Sequence, residues 1–307
     1  MISVLGGGVA GLCAATALSD EGHELELIVP NNAPEPASYL AGGMLAPFCE
    51  GETAPDCVVA RGRAAIGWWA SRIRSFAARG TLVVTRVSDA PELDRFARAT
   101  QEHYWVNPSE LEPGLAGRFT RGLFFPDEAH LDPCEALTTL RETLIVRGVR
   151  FREAAHGKCI VDCRGIAAQE KLADLRAVRG EMLEVMAPEV SLTRPIRLLH
   201  SRFPCYVVPR GGGRYMIGAT MVENGRAGPI TVRATMDLLS AAQTLHPGFA
   251  EAQIISSGAG LRPAFPDNIP VLRHGADRFF LNGLYRHGFL MAPALAVELV
   301  QRLRKDQ

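Results

Sequence analysis

The apolar positions come in short compact runs separated by glycine turns. Residues 1–30 hold two such runs, around Val4 and Leu27. Between them lie Gly6, Gly8 and Gly11, then a stretch where Leu12, Ala15 and Leu18 recur at helical spacing until Gly22. This predicts strand, tight turn, helix and strand. The next stretch, "NNAPEPASYLAGGMLAPFCEGETAP", is rich in Pro and Gly and too long for a simple connection, so it is expected to be a functional loop. From Cys57 to Arg79, Ile66, Trp69, Ile73 and Phe76 recur at intervals of three and four, predicting an amphipathic helix with Trp69 in the core.

"TLVVTRV" reads as a strand and "PELDRFARATQEH" as a helix. "LDPCEALTTLRETLIVRG" carries a helix start, with Asp132 as cap, Pro133 at the first helical position and Glu135 completing a capping-box pattern. Residues 149–163 hold two short strands with almost nothing between them. "GEMLEVMA", "CYVVPR" and "RYMIGATM" suit antiparallel sheet, with the hairpin turned at Gly211–Gly213. The strand "RFFLNGL" and a helix from about Leu290 to Arg304 close the chain. The expected fold is a mixed α/β one: a Rossmann-like nucleotide-binding domain built from residues 1–80, 125–180 and 255–307, and an antiparallel-sheet substrate domain from 81–124 and 181–254.

Composition narrows the classes. Apolar residues make up 47% and charged residues 21%, and 33 basic side chains balance 33 acidic ones. No basic tract points to nucleic acid or a membrane surface, and no long apolar run suggests a membrane span. The first twenty residues lack the basic start and unbroken apolar run of a signal peptide. Seven cysteines without a C-x-x-C pair read as reduced structural thiols of a cytoplasmic protein. No Cys/His spacing suggests a metal.

Gly6-x-Gly8-x-x-Gly11 follows a strand and opens a helix, the setting in which backbone approaches a dinucleotide pyrophosphate. Gly6, Gly8, Val9, Ala10 and Gly11 are the candidate contacts. The acid that would grip a ribose is replaced by Val29, and Glu26 is expected on the opposite face of the strand. Asn31 or Asn32 is a neutral candidate for that role. The motif alone does not separate FAD from NAD.

The later segments "YLAGGMLAPFCE", "RGLFFPDEAHLDP", "VDCRG", "VRGEMLEV", "CYVVPRGGGRYMIGATM", "GAGLRPAFPDNIPVL" and "LNGLYRHGFLMAPALAVELV" carry a resemblance. In order and content they resemble the D-amino-acid oxidase family of flavoproteins, most closely its thiazole-pathway glycine oxidase type. The resemblance implies non-covalent FAD and oxidation of a small amino acid to its imine, with oxygen reduced to hydrogen peroxide. It also implies a place in thiamine thiazole assembly, a thiazole synthase as partner and a homo-oligomer.

By that resemblance Arg262 clamps the substrate carboxylate, the alternative being a structural pair with Asp267. Tyr206 adds its hydroxyl, though a buried tyrosine needs a partner in any case. Arg286 stands near the substrate or supports the flavin rim. Met221 narrows the pocket or fills the sheet core. Gly42, Gly43, Met44 and Leu45 would pass along the flavin ring, Gly165 lies in its counterpart loop, and Gly288, Phe289, Leu290 and Met291 would aim a helix N-terminus at the ring. His287 is assigned no chemistry.

The connection 152–158 is shorter than the family pattern, on the same side as Val29, so FAD is expected to be held less tightly there. Alternatives are an oxidase or dehydrogenase of the same fold acting on sarcosine, D-proline or a larger D-amino acid, and a flavin-depleted binding protein. An NAD-dependent enzyme lacks support from the C-terminal segments.

Overall fold

The structure, a computed structural model, describes residues 1–200 and 204–305. Among these residues six helices run ten residues or more: α1 (Val9–Asp20), α2 (Asp56–Ala70), α3 (Ala90–Ala99), α4 (Pro133–Val146), α5 (Val232–Leu245) and α6 (Gly288–Lys305). The expected mixed α/β class is borne out, built on two large sheets.

The first sheet has six strands in the order Val271–His274, Arg278–Asn282, Cys159–Asp162, Ile2–Leu5, Leu25–Ile28 and Arg150–Arg152. All neighbours are parallel except the first two. Parallel strands need both faces covered, which explains why Ile2–Leu5 and Leu25–Ile28 are buried along their whole length. Helix α1 is apolar all round and buried from Val9 to Leu18, packed among the sheet, α4 and α6. Helices α2 and α6 meet at Gly62, where a methyl group would stand 2.6 Å from Leu290.

The short 153–158 connection lies against this sheet as a strap. Ser3 and Glu26 are in register on adjacent strands, and the Ser3 hydroxyl donates to Glu26 at 2.6 Å. The amides of His156 and Gly157 donate to the same carboxylate oxygen, at 2.6 and 3.1 Å. Gly157 also donates to the Ser3 hydroxyl at 2.7 Å, and a side chain there would strike the Ser3 amide. Burial works against the charge on Glu26, yet these hydrogen bonds hold its carboxyl below the usual carboxylate range.

The second sheet has eight strands in the order Gln253–Ala264, Arg176–Met186, Arg214–Gly218, Cys205–Pro209, Ile196–Leu199, Thr81–Thr85, Gly122–Phe125 and Tyr104–Val106. Only Ile196–Leu199 and Thr81–Thr85 run parallel. Gly211, Gly212 and Gly213 all have positive φ, which makes the hairpin at the expected place. No helix is expected from the sequence between 219 and 254, but α5 covers this sheet with Leu238, Ala241, Ala242 and Leu245. Its N-cap is Thr231, which accepts from the Ala234 amide.

Three further expectations shift. The helix expected to reach Arg79 stops at Ala70, because Ala77 instead pairs with His130 as a β-bridge. Ile73 is still buried, so the apolar period outlasts the helix. At α4, Asp132 accepts from the amides of Cys134 and Glu135 as expected. Glu135 does not close a capping box: its carboxylate accepts from the Ser75 amide across the chain. Finally, the boundaries drawn at 180/181 and 254/255 cut two strands, Arg176–Met186 and Gln253–Ala264, which pair throughout their lengths. Residues 176–180 and 255–264 therefore sit in the eight-stranded sheet.

Candidate functional site

The strand Ile2–Leu5 lies between Leu25–Ile28 and Cys159–Asp162, and the chain leaves its C-terminal end through the glycine turn. In parallel sheets this switch point opens a crevice for a ligand. Gly6 has φ +107°, a conformation closed to most side chains. A methyl group at Gly11 would stand 1.9 Å from the Gly6 carbonyl, so this glycine permits the strand and α1 to close up. Gly8 is the N-cap of α1 with no side chain capping it, while the Val9 amide is met from outside by the Ser38 hydroxyl at 3.1 Å.

A second helix N-terminus converges here. The α-carbon region of Gly288, the first residue of α6, lies against Val9, where a methyl group would be 3.3 Å from the valine. Two helix starts in contact concentrate positive potential, which fits a cofactor bearing a diphosphate and a ring system that becomes anionic on reduction. FAD fits this arrangement: the turn Gly6–Gly11 would face one end of it and the helix start Gly288–Met291 the other, although the Val9 amide is already met by Ser38. The side chains of Leu45 and Met291 are fully buried in the core, and the Met291 amide donates to the His287 carbonyl. Gly165, with φ +60°, accepts at its carbonyl from the Asn282 side-chain Nδ2 at 2.9 Å.

The end of the second parallel strand is apolar at position 29. Val29 packs over Gly7, 3.1 Å from where a methyl group would be. Glu26 is turned inward to the strap and is not available to a ribose. The Asn31 amide donates to Glu153 at the surface.

Along the eight-stranded sheet one face is paved with glycine. Gly180 stands opposite Gly260 in register, with Gly258 two residues away. Side chains two apart share a face, so these glycines leave room for the 37–43 segment. Leu40 fits against Gly258 and Ala37 against Gly260. Arg262, on the same face, lays its guanidinium across Gly180, where any methyl group would overlap it. Its Nη1 donates to the Thr220 carbonyl at 3.0 Å. It does not pair with Asp267, whose carboxylate instead accepts from the Ile269 amide. Among the described residues no carboxylate forms an ion pair with Arg262.

The Tyr206 ring lies between Gly42 and Gly218; a methyl group at either would come within 2.7 or 3.0 Å of it. Burial pushes its phenol up, while the nearby Arg262 pulls the other way. Arg210 was not singled out from the sequence. It is partly buried and donates to the carbonyls of Leu131, Ala41 and Gly42 at 2.6, 3.0 and 3.1 Å, pinning the loop that carries Gly43 and Met44. Met44 pairs with His130 in a two-stranded ribbon.

Arg286 is brought to the end of the short helix Pro47–Glu50, with its Nε 2.7 Å from the Glu50 carboxylate, and it also donates to the Thr53 hydroxyl. His287 Nδ1 lies 3.3 Å from the same carboxylate. Burial works to raise the Glu50 carboxyl, but Arg286, His287 and Arg197 hold it below the usual range. Burial pulls the His287 imidazole below its usual range, while Glu50 works the other way. Glu50 was missed because an acid in a Pro/Gly-rich loop gives no periodic signal. Met221 is not a core methionine: it is half exposed in the loop after Gly218, its sulfur 3.3 Å from the Tyr285 hydroxyl.

Among the described residues no helix is long and apolar enough to cross a membrane, and no cluster of His, Cys, Asp or Glu could hold a metal.

Comparison with known proteins gives a consistent answer. The family model described as DAO, FAD dependent oxidoreductase, matches residues 1–302. The chain is 47% identical to the putative thiamine biosynthesis oxidoreductase ThiO of Rhizobium etli, over 100% of this chain and 97% of that one. It is 26% identical to the glycine oxidase of Geobacillus kaustophilus, over 98% and 93% of the two chains. The crystal structure of glycine oxidase from Bacillus cereus superposes with a TM-score of 0.84 at 20% identity, covering 100% of this chain and 95% of that one. The expected class, a flavin-dependent amino-acid oxidase, is borne out by these likenesses, which favour it over an NAD-dependent enzyme or a flavin-depleted binding protein. With the match running from the first residue into the terminal helix, the chain belongs to the DAO family of FAD-dependent oxidoreductases, and FAD is its cofactor.

Proposed function

We propose that this flavoenzyme oxidises glycine to its imine and that the product supplies thiamine thiazole assembly. The observation that carries the reading is Arg262: a guanidinium laid over a glycine floor, with no carboxylate paired to it among the described residues, beside the Tyr206 ring. A planar guanidinium clamps a carboxylate through two parallel hydrogen bonds and so orients it as well as attracting it. When bound, FAD would supply the two-electron oxidation of the substrate amine to its imine, with oxygen as final acceptor and hydrogen peroxide as the second product. The protein's share is to fix the carboxylate, hold the amine neutral and keep water out. Arg262 and Tyr206 take the carboxylate; Arg286, already neutralised by Glu50, shapes the far wall. The glycine loop, Gly42–Leu45, Gly165 and the start of α6 hold the cofactor. Residues 37–43 close the space above the sheet face, which favours a small substrate.

The relative from Rhizobium etli, named for thiamine biosynthesis, supports the pathway assignment. It implies a thiazole-forming synthase as partner and a cytoplasmic setting. The half-exposed Met221 favours a second reading in which sarcosine or D-proline is also accepted. The test is an absorbance spectrum of the flavin-loaded protein with anaerobic glycine, followed by peroxide release across a panel of glycine, sarcosine and D-proline. Bleaching by glycine with peroxide on readmitting air is expected. A response to D-proline alone would refute glycine as the substrate.

A further inference from the structure

The segment Arg179-Gly180-Glu181 carries a buried ion pair that touches neither the cofactor residues nor the substrate residues. Arg179 is 6% exposed and Glu181 2%. Arg179 Nη2 and Nε donate to one Glu181 oxygen at 3.0 and 3.2 Å. The rest of the guanidinium is spent on backbone: Nη1 donates to the carbonyls of Arg226 and Gly228 at 2.8 and 3.2 Å, and Nη2 to that of Pro229. Burying two charges is costly unless both are fully hydrogen-bonded. Here they are, and every bond beyond the pair falls on the loop between Gly218 and α5.

Glu181 works on that loop from the other end. Its second oxygen accepts from the Thr220 hydroxyl at 2.9 Å, its amide donates to the same hydroxyl at 3.0 Å, and its carbonyl accepts from the Thr220 amide at 3.2 Å. Its first oxygen also accepts from the Thr231 amide at 2.9 Å. Thr220 is thus held by three bonds to one residue. Its remaining polar group, the carbonyl, receives Arg262 Nη1.

Side chains alternate along a strand, so Arg179 and Glu181 lie on one face and Gly180 on the other. Arg262 crosses Gly180 on that second face, and Thr220 joins the two sides.

We propose that Arg179 and Glu181 are positioning residues for Arg262, acting through Thr220 to hold the guanidinium in one orientation over Gly180. The proposal rests on the reading that Arg262 binds the substrate carboxylate. An arginine on a flexible stem must otherwise be ordered by the substrate itself, which weakens binding. With its Nη1 already committed to a fixed carbonyl, the outer edge of the guanidinium is presented ready-made.

The test uses the flavin-loaded protein. Acetate and glycolate, carboxylates without an amine, are titrated against the oxidised flavin spectrum, and steady-state glycine kinetics are run in parallel. Thr220→Val removes the hydroxyl at nearly constant shape, and Glu181→Gln removes the charge. Each is expected to weaken carboxylate binding and raise the KM for glycine about tenfold, the scale of one lost hydrogen bond. Thr220→Ser is expected to restore binding. Gly180→Ala displaces the guanidinium directly and should reproduce the defect with the Arg179–Glu181 pair intact.

Arg262→Ala separates the two layers of the argument. If it leaves carboxylate binding unchanged, the assignment of Arg262 to the carboxylate fails. If it weakens binding to a still measurable level while Thr220→Val and Glu181→Gln bind as wild type, the positioning proposal alone is overturned. In the Arg262→Ala background Thr220→Val should have no further effect on carboxylate binding; a second tenfold loss there would show a general structural role and also overturn the proposal. Should Thr220→Val not fold, Gly180→Ala and Glu181→Gln decide the matter.

Discussion

Helix α6 contains Pro293, which has no amide hydrogen, so the carbonyl of Phe289 four residues earlier lacks its helical donor. That carbonyl is buried, and the structure fills the vacancy from another helix: Trp69 Nε1 donates to it at 2.7 Å. Trp69 is fully buried, and its indole packs 5.4 Å from the Phe289 ring. Trp69→Phe keeps most of the apolar contact but leaves the carbonyl unsatisfied. An unpaired buried acceptor costs about 1–3 kcal/mol, and the lost indole volume adds about 1 kcal/mol. The argument is isolated by Pro293→Ala, which gives residue 293 an amide able to serve the Phe289 carbonyl. In that background Trp69→Phe should cost about 1–2 kcal/mol less than in the wild type, since only the packing loss remains. Urea denaturation of the four proteins in excess FAD, analysed as a double-mutant cycle, measures the difference. Equal costs in the two backgrounds, within about 0.5 kcal/mol, would refute the assignment of the indole as a surrogate helix donor.

Two further predictions follow from close packing and from burial. Gly42→Ala would place a methyl group 2.7 Å from the Tyr206 ring, so the KM for glycine should rise about tenfold with FAD retained; an unchanged KM would mean that the ring does not set the substrate position. Glu128 is buried and holds the Cys49 amide at 2.8 Å, and burial pushes its carboxyl up from 4.5 to about 7. Its folded form therefore keeps a proton that the unfolded chain loses, and stability should fall as pH rises from about 4.5 through 7, by about 3 kcal/mol. Glu128→Gln should flatten this decline, so that denaturation midpoints of variant and wild type diverge between pH 5 and pH 8; parallel curves would refute it.

Much of the frame is visible in local chemistry. The glycine turn, the Asp132 cap and the Gly211–Gly213 hairpin each demand a particular residue at a particular backbone conformation, and the structure has them there. Arg262 was found through its sequence setting, but its neighbours were not. Glu50 and Arg210 act on groups far away in the chain, and the Arg179–Glu181 pair, itself only two residues apart, acts on a loop 39 to 50 residues on; such contacts leave no period or spacing to read. The helix drawn to Arg79 failed for a related reason: its apolar period continues to Ile73, while the pairing of Ala77 with His130 redirects the backbone. Helix α5 exposes Val232 and Met236, which blur the apolar stripe that marks it.

The strap over Ser3 and Glu26 bears on how this chain can be recombined with its relatives. Six residues lie over this edge of the parallel sheet and give two amides to one buried carboxylate. A graft that brings in a longer connection would leave Glu26 charged beneath an apolar cover, with Ser3 and Arg152 as its remaining partners. A graft that changes position 26 alone would leave the amides of His156 and Gly157 without their shared acceptor. Ser3, Glu26 and the segment 153–158 thus form one heritable block, and a chimera that divides it inherits half of a lock.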